Sequence, residues 1–319
     1  MVVDIDNHFR KLSLFSRETF FAVSSKVTRS SKAMVFAFNF GANARDNIQK
    51  EEEIHGAQKT SGIPWRKAEE IFLEDSHLCS LAKLPSYEQF DLDGETSINF
   101  VNSAVVCTLL KETGYKGDLS VALGSEHSDL EPGTYEGGLK VWECSEDLAR
   151  FLHNSGMEMK GLKVLDLGCG AALPGLYCFS KGAEVWFNDY NEEVLKHITM
   201  PNTLLNVPDT PAKTRFFAGD WKSFEEITSS ELCEEEAKFD LILSSETIYN
   251  IENQEKLITI FKNCLKKSGQ VLVAAKTVYF GVGGGIRQFE GLLSRNSLKF
   301  KTLKAFDEGV NREIVSVTL

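Results

Sequence analysis

Acidic residues and glycines recur where the predicted strands end, and their spacing suits a polar organic ligand. Residues 163–170 read Lys-Val-Leu-Asp-Leu-Gly-Cys-Gly, which predicts a buried strand, a tight turn and the start of a helix. Gly168 and Gly170 lack a Cβ atom, so a ligand can lie directly against their backbone. The first N–H groups of the following helix have no partner within that helix and can donate to the same ligand. The stretch therefore predicts a nucleotide-binding loop.

Asp166 distinguishes this loop from the dinucleotide-binding fingerprint. The acid precedes the first glycine, and the third glycine of that fingerprint is missing. A pyrophosphate needs hydrogen-bond donors, whereas an acid beside the glycines suits a ligand with an ammonium group and ribose hydroxyls. S-adenosylmethionine is such a ligand. A glycine turn in an unrelated α/β protein is the alternative.

The strands predicted after the loop end in residues that suit the same ligand. These strands span residues 184–189, 214–220, 239–246 and 270–276. In doubly wound sheets, ligands bind beyond the carboxyl ends of the strands. Asp189 can accept hydrogen bonds from both ribose hydroxyls, and Asp220 and Trp221 are placed for the adenine. Ser245 and Glu246 would then face the sulfonium.

The alternation of strands and helices predicts an α/β fold with a mainly parallel sheet. Residues 192–198, 254–265 and 286–293 are the predicted helices. Residues 298–306 and 312–319 largely alternate apolar and polar side chains, as a half-buried antiparallel pair does. Five parallel strands closed by such a pair give a seven-stranded, Rossmann-like sheet, which is typical of class I S-adenosylmethionine-dependent methyltransferases.

Length and composition divide the chain and exclude several classes of protein. Its 319 residues suffice for one large domain with an extension. We expect a flexible N-terminal extension over residues 1–62, a cap region over 63–133 and the methyltransferase domain over 134–319. The net charge of −11 argues against a broad nucleic-acid surface and favours a basic partner. No apolar run approaches the roughly 18 residues of a membrane span.

The seven cysteines are scattered and include no C-x-x-C pair. This pattern predicts neither a disulfide framework nor a zinc site, and it favours a reducing compartment. We therefore predict no metal site.

Six segments carry a resemblance to a known family. They are residues 139–144 (Leu-Lys-Val-Trp-Glu-Cys), 164–170, 188–191 (Asn-Asp-Tyr-Asn), 244–250 (Ser-Ser-Glu-Thr-Ile-Tyr-Asn), 279–285 (Tyr-Phe-Gly-Val-Gly-Gly-Gly) and 307–309 (Asp-Glu-Gly). Together they resemble the eukaryotic protein-histidine N-methyltransferases that modify a ribosomal protein of the large subunit. The glycine motif is common to all methyltransferases of this fold, whereas the other segments in combination are specific. The resemblance covers roughly residue 134 to the C-terminus and implies methyl transfer from S-adenosylmethionine to a histidine of such a protein.

The predicted cofactor contacts come from the strand ends and from residues 141–145, at the start of the first predicted helix of the methyltransferase domain. Ser145 is predicted to cap that helix, with acids in its first turn. Trp142 and Glu143 lie just ahead, where the chain could fold over the cofactor, although core packing is the alternative for Trp142. The predicted cofactor-binding residues are Val141, Trp142, Glu143, Cys144, Ser145, Asp166, Gly168, Gly170, Asn188, Asp189, Tyr190, Gly219, Asp220, Trp221 and Ser245.

Glu246, Tyr249 and Asn250 are the predicted catalytic residues. An imidazole with an ordinary pKa of about 6.5 is mostly neutral at pH 7, so its methylation needs no strong base. The enzyme must instead fix the tautomer, because one ring nitrogen needs an acceptor while the other presents its lone pair. A carboxylate such as Glu246 would stabilise the cation that forms. The glycine-rich loop 279–285 can approach the substrate closely or close over it.

Other functions remain open at this point. The spacing Glu246-x-x-Tyr249 also fits a lysine methyltransferase of the same fold. A ribosome-assembly or chaperone-like factor that transfers no methyl group is a second alternative, and a small-molecule methyltransferase is a third. The expected partner is a protein, without nucleic acid or membrane, and the expected compartment is the cytoplasm, the nucleus or both.

Overall fold

The computed structural model describes residues 65–72, 87–120, 130–207 and 212–319. The predicted N-terminal extension, residues 1–62, lies outside these ranges, and the predicted boundary at residue 134 stays a prediction. In the described ranges, no helix combines the length and the apolar character that crossing a membrane requires.

A mostly parallel sheet forms the centre of the protein and confirms the predicted α/β fold. The strands in the described residues are β1 (Glu69–Ile71), β2 (Tyr87–Asp91), β3 (Ser97–Val101), β4 (Lys163–Leu167), β5 (Glu184–Asp189), β6 (Thr214–Ala218), β7 (Phe239–Ser245), β8 (Leu265–Lys276), β9 (Lys299–Phe306) and β10 (Arg312–Thr318). Eight of them form the sheet, in the order β1-β6-β5-β4-β7-β8-β10-β9, and β2 and β3 form a separate hairpin. β4 lies at the middle of the sheet, where the strand order reverses.

The sheet has one strand more than the sequence predicts. β1 pairs antiparallel with β6, with Glu69 opposite Ala218 and Ile71 opposite Phe216. The remaining seven strands are the predicted ones, with β10 antiparallel to both β8 and β9. β1 comes from the predicted cap region, so that part of the chain contributes to the edge of the central sheet.

Helices cover both faces of the sheet. They are α1 (Ser103–Glu112), α2 (Glu143–Ser155), α3 (Leu173–Ser180), α4 (Glu192–Val194), α5 (Met200–Leu205), α6 (Trp221–Thr228), α7 (Ile251–Cys264) and α8 (Ile286–Arg295), with a π-helical turn Leu195–Thr199 between α4 and α5 and a 3-10 turn Glu235–Ala237. Val164 of β4 packs in the core formed with α2 and α3, whereas Leu165 and Leu167 pack in the core formed with α6, α7 and α8. This alternation explains why β4 is apolar on both faces.

The predicted capping role of Ser145 is wrong. Helix α2 begins at Glu143, and its N-cap residue is Trp142. The amides of Ser145 and Glu146 both donate to the Trp142 carbonyl oxygen, so Ser145 already lies within the first turn. The first-turn acids are Glu143 and Glu146. A serine followed by an acid is therefore an ambiguous capping signal. Here the first turn of the helix already begins at Glu143, two residues before Ser145.

Candidate active site

A cleft lies at the carboxyl ends of the parallel strands and encloses about 750 Å³ of space that is partly open to solvent. The predicted cofactor residues line this cleft, apart from Glu143, Cys144, Asp166 and Asn188. Of the predicted catalytic residues, Glu246 and Tyr249 line it and Asn250 does not. The strand ends are thus brought together at one edge of the sheet, as expected for this topology.

Glycines form the floor of the cleft. Gly168 and Gly170 have φ angles of 65° and 52°, in the left-handed region that glycine adopts without strain. A Cβ atom on Gly170 would lie 3.1 Å from the carbonyl oxygen of Gly138, and one on Gly138 would lie 3.2 Å from Asp189 Oδ2. Two glycine-containing segments therefore approach each other closely beside the acid.

Asp189 connects the floor to the end of β5. Its Oδ2 accepts a hydrogen bond from Gly170 N at 2.9 Å, and its Oδ1 accepts one from Asn191 N at 3.1 Å. Burial raises the pKa of Asp189 to about 6, although these backbone donors lower it. A buried carboxylate that faces the cleft and holds the glycine loop is well placed for a ribose diol.

Asp166 lies behind the floor rather than in the cleft. Its Oδ2 accepts a hydrogen bond from Gly175 N at 3.0 Å, which fixes the start of α3 against the end of β4. A Cβ atom on Gly175 would lie 2.6 Å from the same oxygen. The structure therefore places Asp166 where it positions the loop, and its predicted contact with the ligand stays a prediction.

Replacing Asp166 by asparagine is expected to stabilise the protein near pH 8 by on the order of 2 kcal/mol, with a smaller gain near pH 5. Burial raises the pKa of Asp166 from 3.8 to about 7, so its folded-state pKa exceeds the unfolded value. The stabilising contribution of the protonated form is therefore present at low pH and is lost as the pH rises through about 7. Asparagine mimics the protonated form at every pH.

Urea unfolding at the two pH values, with Asp307→Asn at an exposed position as the control, measures this effect. Equal destabilisation of Asp166→Asn at both pH values would show that the charged carboxylate itself stabilises the loop.

The other end of the cleft carries aromatic rings and a second acid. Asp220 is the N-cap of α6, with its side chain accepting from Lys222 N, and it forms an ion pair with Lys256. The Lys256 ammonium lies 3.9 Å from the centre of the Trp65 ring. Trp65 and Trp221 both line the cleft. Flat aromatic rings and a carboxylate at one end of a cleft suit a purine base and its amino group.

Hydrogen bonds hold residues 65–71 against the end of the cleft that carries Asp220 and Trp221. The Asp220 amide donates to the Arg66 carbonyl oxygen at 3.0 Å, and the Ala68 amide donates to Ser223 Oγ at 2.8 Å. A Cβ atom on Gly219 would lie 2.6 Å from the Cα of Ala68, so only glycine allows this approach. Gly219 was predicted from the sequence and Trp65 was not, because no local pattern relates a tryptophan in a polar stretch to a strand end about 150 residues later.

Glu246 stands at the end of β7 in a backbone conformation that is uncommon outside glycine, with φ 56°. Only 8% of the surface of Glu246 is exposed to solvent. Its Oε2 accepts a hydrogen bond from the Tyr279 hydroxyl at 2.5 Å, and its Oε1 lies 3.4 Å from the ammonium of Lys276. Burial and the Glu246 carboxylate raise the pKa of Tyr279 well above its usual range. A non-glycine residue in the left-handed region is strained, and residues of this kind cluster at functional sites.

Glu136 is a further carboxylate that faces the cleft, and it was not predicted from the sequence as a site residue. The Tyr249 hydroxyl donates to Glu136 Oε2, and Gly133 N donates to Glu136 Oε1 at 2.8 Å. Burial raises the pKa of Glu136, and burial together with the Glu136 carboxylate raises that of Tyr249. The available signal was the acid followed by two glycines at residues 136–138, which lies just before the recognised tryptophan.

Asn250 has a structural role in this conformation. Its side-chain oxygen accepts from Glu252 N at 3.0 Å, so it caps α7. Asn188 is also turned away from the cleft, because its side-chain amide donates to the Phe217 carbonyl oxygen. Glu143 forms an ion pair with Arg312 at 3.7 Å. The predicted ligand or substrate contacts of these residues stay predictions.

Comparison with known proteins connects this site to a set of methyltransferases. Residues 129–280 match the model of a family described as lysine methyltransferase. The chain is 44% identical over 196 residues to a histidine protein methyltransferase 1 homolog from Dictyostelium discoideum, a match that covers 60% of this chain and 61% of that protein. It is 39% identical over 243 residues to a histidine protein methyltransferase 1 homolog from Rattus norvegicus, a match that covers 68% and 67%.

A more distant relative is named for a different activity. The chain is 30% identical over 146 residues to a protein N-terminal and lysine N-methyltransferase from Candida albicans, a match that covers 41% of this chain and 54% of that protein. The chain thus spans about three fifths of the length of the Dictyostelium relative and about two thirds of that of the rat relative.

Proposed function

The chain belongs to the histidine protein methyltransferase 1 family, and from this membership we propose that it transfers a methyl group from S-adenosylmethionine to a histidine side chain of a protein. The observation that carries the proposal is the combination in one cleft of a glycine floor, a buried acid at the end of β5 and two tyrosine-linked carboxylates. The first two features suit the cofactor, and the third suits an imidazole.

The residues present fit S-adenosylmethionine. Gly138, Gly168 and Gly170 line the cleft without side chains, so the amino-acid part of the cofactor would lie against their backbone. Asp189 would hold the ribose diol, and the ring of Trp221 would lie against the adenine. When bound, the cofactor supplies an electrophilic methyl group on a sulfonium. The work of the protein is then to place a neutral nucleophile in line with that group, and such positioning can supply most of the catalysis.

Tyr249 and Glu136 are suited to fixing the tautomer of the substrate imidazole. The Tyr249 hydroxyl proton is engaged by Glu136, so the phenolic oxygen presents its lone pairs to an N–H donor. An imidazole that donates one N–H to this oxygen keeps the other nitrogen unprotonated. We place this contact on Tyr249 rather than on Asn250, whose side-chain oxygen caps α7.

Glu246 is suited to stabilising the cation that the imidazole becomes. Its carboxylate is buried at the end of β7 and is held by Tyr279 and Lys276, so its position is fixed before the substrate binds. A preorganised charge in a partly water-excluded cleft interacts more strongly than the same charge in water. The proposed division of roles is therefore orientation by Tyr249 with Glu136, and charge stabilisation by Glu246.

The protein substrate is proposed to be a protein of the large ribosomal subunit. The motif combination at residues 142–144, 245–250 and 279–285 resembles enzymes that act on such a protein, and the net charge of −11 suits a basic client. We accordingly propose that the protein acts in the cytoplasm, the nucleus or both.

Lysine methylation is the second candidate, because the matched family model is described as lysine methyltransferase. A lysine ammonium with an ordinary pKa of about 10.4 must lose a proton before it can accept a methyl group, whereas an imidazole need not. The two candidates therefore differ in the demand for a general base and in the product.

The test is to incubate the protein with tritiated S-adenosylmethionine and total ribosomal proteins, and then to identify the labelled amino acid after acid hydrolysis. Labelled methylhistidine is the expected product. Labelled methyllysine would replace the proposal by the second candidate. Binding of the cofactor in a calorimeter without any labelled protein would indicate a non-catalytic factor. A parallel reaction with Asp189→Asn, at a position that lines the cleft, controls for contaminating enzymes.

A further inference from the structure

Three exposed apolar residues lie on two chain segments that pack against each other beside the cleft. Phe280 is 77% exposed, Val278 46% and Ile251 45%, and we call these three residues the mouth patch. A Cβ atom on Gly283 would lie 3.5 Å from Ile251 Cδ1, so the loop that carries Val278 and Phe280 packs beside Ile251. Single exposed apolar residues are ordinary on protein surfaces, but a cluster that adjoins a cleft indicates a binding surface.

The loop that carries Val278 and Phe280 contacts the residues that directly follow β7. Tyr279, between Val278 and Phe280, points inward and donates its hydroxyl proton to Glu246. A Cβ atom on Gly284 would lie 2.2 Å from the carbonyl oxygen of Ile248, so the returning part of the loop rests on the backbone beside Tyr249. A polypeptide lying on the mouth patch would therefore have its neighbouring side chains at the entrance to the cleft.

Three acidic side chains are exposed near the patch. Glu252 follows Ile251, and Asp307 and Glu308 lie in the turn between β9 and β10. The amide of Thr277 donates to the Asn311 carbonyl oxygen at 2.9 Å, which places that turn beside the residue that precedes Val278. An acidic rim around an apolar centre is complementary to a basic segment with an apolar side chain.

Three nearby cations are already paired with acids. Arg312, at the start of β10, forms an ion pair with Asp147. Arg287, which follows the loop, forms ion pairs with Glu290 and Glu313. Lys276 is buried and forms an ion pair with Glu246. These cations therefore do not cancel the negative rim.

We propose that the mouth patch docks the substrate polypeptide, with an apolar side chain near the target histidine packed on Phe280 and Val278. Basic side chains of the same segment face Glu252, Asp307 and Glu308. This inference rests on the proposed function only in taking the bound partner to be a protein with an accessible histidine. It assigns the sequence preference of the enzyme to a surface outside the cofactor cleft.

The test measures binding of the full chain to an array of synthetic peptides with a central histidine. The flanking positions carry leucine or serine in one comparison, and lysine or glutamate in the other. We expect about tenfold tighter binding for leucine than for serine, since burying one leucine side chain contributes of this order. Phe280→Ala should reduce that preference to about twofold, while calorimetric affinity for S-adenosylmethionine stays the same.

Ile227→Ala is the matched control, because Ile227 is 47% exposed on α6. It should leave both preferences intact. The double variant Asp307→Lys, Glu308→Lys should lose or reverse the preference for lysine over glutamate. Because these side chains are exposed, none of the substitutions leaves a cavity in the core.

The outcomes separate this proposal from the proposed function. Equal binding of all flanking residues by the unaltered protein, or an identical preference after Phe280→Ala, overturns the docking surface. Concentration-dependent self-association that Phe280→Ala abolishes, measured by sedimentation, would assign the patch to a second copy of the chain instead. Flank-dependent binding without any methylhistidine would refute the proposed activity and leave the docking surface in place.

Discussion

Replacing Glu246 by glutamine is expected to lower kcat by about 10²- to 10³-fold, while the affinity for S-adenosylmethionine changes by less than about threefold. Glutamine keeps the volume of the side chain and can still accept from the Tyr279 hydroxyl. What it removes is the fixed negative charge beside the proposed position of the imidazole, which becomes positive in the reaction. The loss should therefore appear in the chemical step rather than in cofactor binding.

The neighbouring lysine makes a stability control necessary. Lys276 is buried and lies 3.4 Å from Glu246 Oε1, so glutamine leaves that ammonium without its carboxylate partner. We expect a lower melting temperature, because breaking a buried ion pair is costly. Activity must therefore be measured well below the melting transition, with Glu255→Gln at an exposed position of α7 as the control.

Two results would contradict the proposed role of Glu246. One is unchanged kcat with weakened cofactor binding, which would place Glu246 in the cofactor site. The other is an equal loss of kcat in Tyr279→Phe, which keeps the charge and removes only the hydroxyl that holds it. In the proposed arrangement Tyr279→Phe loses about tenfold at most, because the hydroxyl positions the carboxylate without supplying the charge.

The strands that position the site could be predicted because their signals are local. β5 has the predicted bounds, Glu184–Asp189, since a short apolar run between polar residues marks a buried parallel strand. Its terminal acid then falls at the same edge of the sheet as the glycine loop after β4, because parallel strands present their carboxyl ends together. The position of Asp189 and Glu246 at strand ends was therefore enough to predict that both lie at this edge of the sheet.

What the sequence did not reveal depends on contacts between distant parts of the chain. β1 has only three residues, two of them glutamates, and its existence depends on pairing with β6 nearly 150 residues away. Glu136 became a site residue only through its contact with Tyr249. Asn250 shows the converse, since a residue predicted to be catalytic caps a helix in this structure, while its catalytic role stays a prediction. Local patterns identify such residue types but not their partners.

Asp189→Asn is expected to weaken S-adenosylmethionine binding by roughly a hundredfold, because hydrogen bonds to a charged acceptor contribute about 1.5–3 kcal/mol each. The two carboxylate oxygens of Asp189 already accept from Gly170 N and Asn191 N. An asparagine can accept with only one of its two terminal atoms, so one of these amides loses its partner. The variant thus loses both an acceptor for the ribose diol and part of the support for the glycine loop.

The pH dependence of binding provides an independent check on this role. Burial raises the pKa of Asp189 to about 6, so the carboxylate becomes protonated as the pH falls through this value. Affinity of the unaltered protein for S-adenosylmethionine should therefore decrease below about pH 6, whereas the already weak affinity of Asp189→Asn should change little over the same range. Calorimetry at about pH 5.5 and about pH 7.5 measures both proteins.

Asp240→Asn is the matched control for this experiment, because Asp240 lies near the start of β7, at the opposite end of the sheet, and also accepts from a backbone amide, that of Lys163. Its affinity for the cofactor should equal that of the unaltered protein at both pH values. If Asp189→Asn and Asp240→Asn weakened binding equally, the effect would come from a general loosening of the sheet. The cleft at the carboxyl ends of the strands would then no longer be the cofactor site, since a ligand held there must be more sensitive to the acid that faces it.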